Sequence, residues 1–230
     1  MIGQKSSIRA IAFDLDDTLL DTTQIFVPLA TRRAFEILSE VPLGYDLTAF
    51  NSKCKELAKS LSHPEIFAQL ITDKSPRSLD LIRQATLAFY TPQVPSTLPL
   101  IPGALENLQI LKQTYRLFLV TSGIPEIQLQ KVTACGIKEF FNHCFVVESL
   151  KGERKKTAFE SIIRDTQIQP HQLLSCGNRL SLETRDAKLC GAMTCYFRYG
   201  EHVGEVPSQP EDVPDFTITH HRELITTCQL

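Results

Sequence analysis

The chain has 230 residues, of which 43% are hydrophobic and 22% charged, and its formal net charge is -2. This is the composition of a globular protein with room for one large domain or a core and a companion, and it excludes disorder and any strong field for nucleic acid or an anionic membrane. No apolar stretch approaches the roughly 20 residues of a bilayer span and no signal-peptide core follows Met1, so no membrane and no nucleic acid is expected as partner, and the cytoplasm is the expected compartment.

In chain order, residues 8–13 form a short apolar run that stops at acidic residues, as a strand buried on both faces of a parallel sheet does. Residues 22–90 then keep helical spacing with no convincing strand: Phe26, Leu29, Ala30, Ala34, Ile37 and Leu38, then Leu57, Ala58 and Leu61, then Ile66, Leu70 and Ile71, and last Leu79, Ile82, Ala85, Leu87 and Phe89. A proline-rich connector over 91–103 leads back to the main pattern. There, helical segments at 104–112, 125–135, 157–164 and 181–190 alternate with apolar runs at 116–120, 144–147, 172–176 and 192–197, and a sixth strand is expected at 216–219. The alternation predicts an α/β fold: a Rossmann-like parallel sheet with helices on both faces and its functional groups at the carboxyl ends of the strands. The helical interval predicts an inserted all-helical domain at 22–94, with the core at 1–21 and 95–230.

Three carboxylates, Asp14, Asp16 and Asp17, follow the first apolar run within four positions. Side chains alternate along an extended backbone, so Asp14 and Asp16 share a side, where one carboxylate can attack an electrophile and the other can move the leaving group's proton. Two acids that close raise one another's pKa, and Mg²⁺ with oxygen ligands relieves this while neutralising phosphate. The plain alternative is that Asp14 or Asp16 caps a helix starting near Thr18, with Asp17 a turn residue.

This segment, Asp14-Leu15-Asp16-Asp17-Thr18 after a hydrophobic strand, matches the DxDx(T/V) first motif of the haloacid dehalogenase superfamily, which the chain resembles over most of its length. The resemblance implies that Asp14 is a nucleophile that becomes an aspartyl-phosphate. It makes Asp16 the general acid/base, whose backbone carbonyl also binds Mg²⁺. The second motif, a strand ending in a hydroxyl, is met by Thr121, with Ser122 and Gly123 offering amides to phosphate; on its own, Thr-Ser-Gly after a strand is a common turn. The third, a lysine before a helix, falls on Lys156, with Lys155 as the competing register. The fourth, GDxxxxDxxxAxxxG, aligns with residues 177–191, where Asn178 and Glu183 replace the two aspartates. Asn178 brings a carbonyl oxygen to the metal but no charge, so the ion is held more weakly. Glu183 reaches the metal through a water, binds Arg179, or is simply a first-turn acid favoured by the helix dipole.

What the resemblance implies is a Mg²⁺-dependent hydrolase of a small phosphorylated metabolite, with the helical insert as a cap of the family's first type; whether it acts as monomer or homodimer is left open by the sequence. Two alternatives follow from Asn178: a non-catalytic, degenerate binding protein, and a metal-independent 2-haloacid dehalogenase. The latter enzymes lack the second Asp of the first motif, so Asp16 argues for phosphate. No GxGxxG follows the first strand and no GxxxxGK[ST] occurs, which disfavours dinucleotide-binding and P-loop folds. Residues 198–207, His202 included, read as a surface loop, with the edge of the pocket or a subunit contact as the alternative, and most of the seven scattered cysteines read as reduced core residues.

Overall fold

The computed structural model describes residues 7–73 and 75–230. Residues 1–6 of the expected core range and Lys74 of the expected insert lie outside the described residues. The described residues fall into two compact units, one of residues 7–21, 94–200 and 205–230, the other of residues 22–73 and 75–93 with 201–204.

The first unit is built on six parallel strands: β1 (Ala10–Phe13), β2 (Arg116–Ser122), β3 (His143–Val147), β4 (Leu173–Gly177), β5 (Met193–Phe197) and β6 (Phe216–Ile218). Their order is β3-β2-β1-β4-β5-β6. β1, wholly buried, is central because its four residues are apolar on both faces. It pairs with β2 on one side, Phe13 opposite Leu119, and with β4 on the other, Phe13 opposite Cys176. The chain therefore leaves β1 in one direction across the sheet and returns in the other. Such a switch point opens a crevice beyond the carboxyl ends of β1 and its neighbours, where parallel α/β sheets bind ligands.

The α-helices among the described residues are α1 (Thr22–Ile25), α2 (Val27–Leu38), α3 (Leu47–Leu57), α4 (His63–Leu70), α5 (Pro76–Tyr90), α6 (Ala104–Leu111), α7 (Pro125–Ala134), α8 (Lys156–Thr166), α9 (Arg185–Leu189) and α10 (Leu224–Thr227). Ala158, Phe159 and Ile162 of α8 and Ala187 of α9 pack on the face of the sheet formed by Ala10, Ala12, Phe118 and Val120. Ile11 and Phe13 alternate to the other face. No helix among the described residues is long and apolar enough to cross a membrane.

The second unit is helical throughout, α1 to α5. Its starts carry local signals: Asp46 accepts from Ala49 N at 2.7 Å, Glu65 returns to Ser62 N at 2.8 Å, and Ser75 accepts from Ser78 N ahead of Pro76. The small side chains Ala30 and Ala34 of α2 and Ala85 of α5, with Phe50, Phe67 and Phe89, make its core. Residues 201–204 belong to this unit although they lie far along the chain from it. Glu201 N donates to Thr23 Oγ1 at 2.9 Å, His202 Nδ1 lies 2.9 Å from Ala58 O, and Glu201 Oε1 lies 3.5 Å from His63 Nε2. Of this stretch, expected as a surface loop, Glu201 and His202 are thus held on the helical unit, while Val203 and Gly204 are exposed as a surface loop is.

Candidate active site

β1 ends at Phe13, and Asp14 N still donates to Cys176 O of β4 at 2.9 Å, so Asp14 is held by the sheet at its carboxyl edge. Beyond it the chain turns at once: Leu15 O accepts from the amides of Thr18, Leu19 and Leu20. Asp17 takes a left-handed conformation (φ 53°), which a short polar side chain tolerates. No helix begins near Thr18, so none of these acids is spent as a helix cap.

Asp14 is buried, and Lys155 Nζ donates to its Oδ1 at 2.6 Å. The same ammonium bonds Glu183, which is also buried. The lysine beside Asp14 is thus Lys155 and not Lys156, which corrects the expected register. The reason is geometric: α8 starts at Lys156, and successive residues around a helix start point about 100° apart. Lys155 at the N-cap turns inward, whereas the Lys156 side chain is 44% exposed with Nζ 3.7 Å from Glu160.

Burial pushes the Asp14 carboxyl above the usual carboxylate range; Lys155 pulls it back, while Glu183 and Asp16 push it further up. For Lys155, burial works against the charge, but Asp14 and Glu183 together outweigh it and hold its pKa above the ordinary value. Glu183 sits in a stretch of π-helix, Leu180–Thr184, a wide turn found often at functional sites. Its other oxygen accepts from the backbone N of Arg179 at 2.9 Å, while the Arg179 guanidinium goes to Glu205. A Cβ at Gly177 would run into the Glu183 side chain, so the glycine at the end of β4 is what lets Glu183 lie over it. Asn178 is buried, and its Nδ2 points to Tyr199 O at 3.5 Å.

Thr121 and Ser122 close β2, one strand away from Asp14, and Gly123 N donates to Val147 O at 3.0 Å. Two residues of α7 join them that the sequence pattern did not single out. Gln128 Nε2 donates to Asp16 Oδ2 at 2.8 Å and to Thr121 Oγ1 at 2.6 Å, and Lys131 Nζ lies 2.7 Å from Asp16 Oδ1. In sequence they are ordinary polar residues of a helix with no clear apolar face; the available signal was that an acid as close to Asp14 as Asp16 needs cations or donors of its own. Of the residues expected at the site, Asp14, Glu183 and Lys155 meet in one cluster and Asp16 and Thr121 in another. Asn178 follows the end of β4, and Lys156 stands apart.

A six-stranded parallel sheet with opposed carboxylates and a buried lysine at its switch point defines an α/β enzyme. The profile of the haloacid dehalogenase-like hydrolases matches residues 11–188. Over 228 residues the chain is 28% identical to a glyceraldehyde 3-phosphate phosphatase of Methanopyrus kandleri, covering 95% of this chain and 96% of that one. It is 31% identical over 205 residues to the protein of the same name from Pyrococcus abyssi, covering 84% and 83%. Among solved structures, the HAD-hydrolase YfnB of Bacillus subtilis bound to magnesium superposes with a TM-score of 0.69 at 24% identity, over 97% of this chain and 98% of that one. The chain belongs to the haloacid dehalogenase-like hydrolase family, and it is a hydrolase.

Proposed function

We propose that the chain is a phosphatase that hydrolyses a small phosphomonoester in the cytoplasm, as a monomer or homodimer, with Mg²⁺. The observation that carries this reading is Asp14 buried against Lys155 at the carboxyl end of the central strand, with Asp16 two residues on. The oxygens that would hold the ion are the Asp14 carboxylate, the Asp16 backbone carbonyl and the Asn178 side-chain carbonyl. Among the described residues no three His, Cys, Asp or Glu side chains form a ligand cluster. This set fits Mg²⁺ all the same, because it consists of hard oxygens of which two are not carboxylates. Asn178 Nδ2 is turned to Tyr199 O, which leaves its carbonyl oxygen for another partner. When bound, the ion neutralises phosphate charge and favours the Asp14 anion.

In the proposed reaction the Asp14 carboxylate attacks phosphorus in line, and the P–O bond to the leaving group breaks as that oxygen takes a proton from Asp16. Lys155 keeps Asp14 ionised, and the Thr121 hydroxyl and the Ser122 amide bind phosphate oxygens, whereas the Gly123 amide, expected to join them, is spent on Val147 O. Asp16 then takes a proton from water, whose oxygen attacks the aspartyl-phosphate, releasing inorganic phosphate and restoring Asp14. Glu183 serves as the second counter-charge that fixes Lys155. The helical unit acts as the cap that selects substrate. Relatives named glyceraldehyde 3-phosphate phosphatase make a triose phosphate the first substrate to try.

Release of inorganic phosphate from glyceraldehyde 3-phosphate and a panel of metabolite phosphates, with and without Mg²⁺, tests the reading. Turnover that needs Mg²⁺ and disappears in Asp14→Asn supports it. No turnover of any phosphate, or turnover unchanged in Asp14→Asn, would sink it.

A further inference from the structure

Gln128 and Lys131 lie three residues apart on α7 and so face the same way, and both are buried. Burying an amide and an ammonium is costly unless each is matched, and here both are matched by the two groups assigned to chemistry. Lys131 Nζ reaches Asp16 Oδ1 at 2.7 Å; Gln128 Nε2 reaches Asp16 Oδ2 at 2.8 Å, Thr121 Oγ1 at 2.6 Å and Ser122 O at 3.2 Å. Both oxygens of Asp16 are therefore engaged from one helix face, which selects one rotamer of that side chain.

The orientation of the Gln128 amide follows from its neighbours. The Ser122 carbonyl can only accept, and so can the Asp16 carboxylate, which requires the nitrogen of Gln128 to face them. That nitrogen, whose two protons are shared among three acceptors, also lies against Thr121 Oγ1; an amide nitrogen cannot accept, so the hydroxyl does not donate to it and keeps its own proton to give away. Gly123 makes the approach feasible: its φ is +149°, and a Cβ there would lie 3.1 Å from Gln128 Cδ and Cγ.

We infer that Gln128 and Lys131 are positioning residues for this hydrolysis. Lys131, with Gln128, docks the Asp16 carboxyl group for proton transfer, and Gln128 sets the Thr121 hydroxyl as a donor to a phosphate oxygen. The inference rests on the proposed roles of Asp16 and Thr121.

The test compares an alkyl phosphate, glycerol 3-phosphate, with p-nitrophenyl phosphate, whose leaving group departs without needing a proton. Asp16→Asn sets the reference and is expected to lower the alkyl-to-aryl ratio of kcat/KM. Lys131→Met should lower the same ratio about tenfold or more, because a misplaced acid loses part of a general-acid effect of about 10²–10⁴. Lys131→Arg should restore it to within about threefold, since the second cation also reaches a carboxylate. Gln128→Met should raise the inhibition constant of inorganic phosphate about tenfold, the scale of one hydrogen bond to a charged group, while Lys131→Met leaves it within about twofold. Both readouts, a ratio and an inhibition constant, are independent of how much of a variant folds. If Asp16→Asn shifts the ratio and Lys131→Met does not, the docking role of Lys131 is wrong. If Gln128→Met binds phosphate as the wild type does, its role is wrong. If Asp16→Asn itself leaves the ratio unchanged, the reading of Asp16 as acid falls, and the inference with it.

Discussion

Lys155 Nζ lies 2.6 Å from Asp14 Oδ1 and bonds the Glu183 carboxylate with the same ammonium, so one buried cation serves two buried anions. Lys155→Met leaves Asp14 facing Glu183 and Asp16 with burial unopposed, which drives its carboxyl toward the protonated form and removes the nucleophile. We expect kcat to fall by roughly 10²–10³, the scale of losing one preorganised charge in a catalytic site. Lys156→Met, which removes only an exposed pair with Glu160, should stay within about twofold of wild type. Steady-state phosphate release from the two variants decides between the adjacent lysines; the reverse ranking would reject the Lys155 assignment.

That choice between neighbours illustrates where sequence pattern stops. The inner strands were legible because strands buried on both faces read as short apolar runs, and β1, β4 and β5 are such runs. The helical unit was legible from its spacing of apolar residues, since Ala30, Ala34 and Leu38 all point into its core. Lys155 against Lys156 depends on where α8 begins to within one residue, a boundary that periodicity does not resolve. Gln128 and Lys131 were invisible because a polar residue on a helix is normally solvated; only the tertiary position of Asp16 makes them buried partners. Residues 201–204 join the helical unit through contacts to Thr23 and Ala58, more than 140 positions away, which no local pattern encodes.

Asn178 offers a neutral oxygen where a carboxylate would bring charge. Asn178→Asp adds an anion to a hard-oxygen site, and the half-saturating Mg²⁺ concentration should fall on the order of tenfold. Calorimetric titration with Mg²⁺ checks this directly. Equal affinity in the two proteins would place Asn178 away from the ion.

Gly177 passes so close beneath Glu183 that any side chain there must displace it. Gly177→Ala should cost about 1–3 kcal/mol, as overpacking of a tight site does. It should also lower kcat, because Glu183 can move only by releasing Lys155. Gly204→Ala, with nothing within 4 Å of the added carbon, should change stability by no more than about 0.5 kcal/mol. Urea unfolding of both variants supplies the comparison, and a neutral Gly177→Ala would show that the contact is slack.

His221 pins the turn after Asp16 from the far end of the chain. Its Nε2 lies 2.7 Å from Thr18 O, which can only accept, so this nitrogen carries the proton; Nδ1 then accepts from Asn107 Nδ2 at 3.3 Å. The ring is therefore neutral in place. Burial lowers its pKa from the ordinary 6.5, more than the Thr18 carbonyl and Glu106 raise it. The sign follows from proton counting: below about 6.5 the unfolded chain binds a proton that the folded one refuses, so acid favours unfolding. The contribution of His221 is fully present above that pH and is lost as pH falls through the window beneath it. His221→Gln keeps a donor for Thr18 O and cannot titrate. Unfolding free energies measured from pH 7.5 to pH 5 should show the wild type losing stability relative to His221→Gln on acidification. Parallel curves for the two proteins would mean that His221 takes up its proton in the folded state as readily as in the unfolded one.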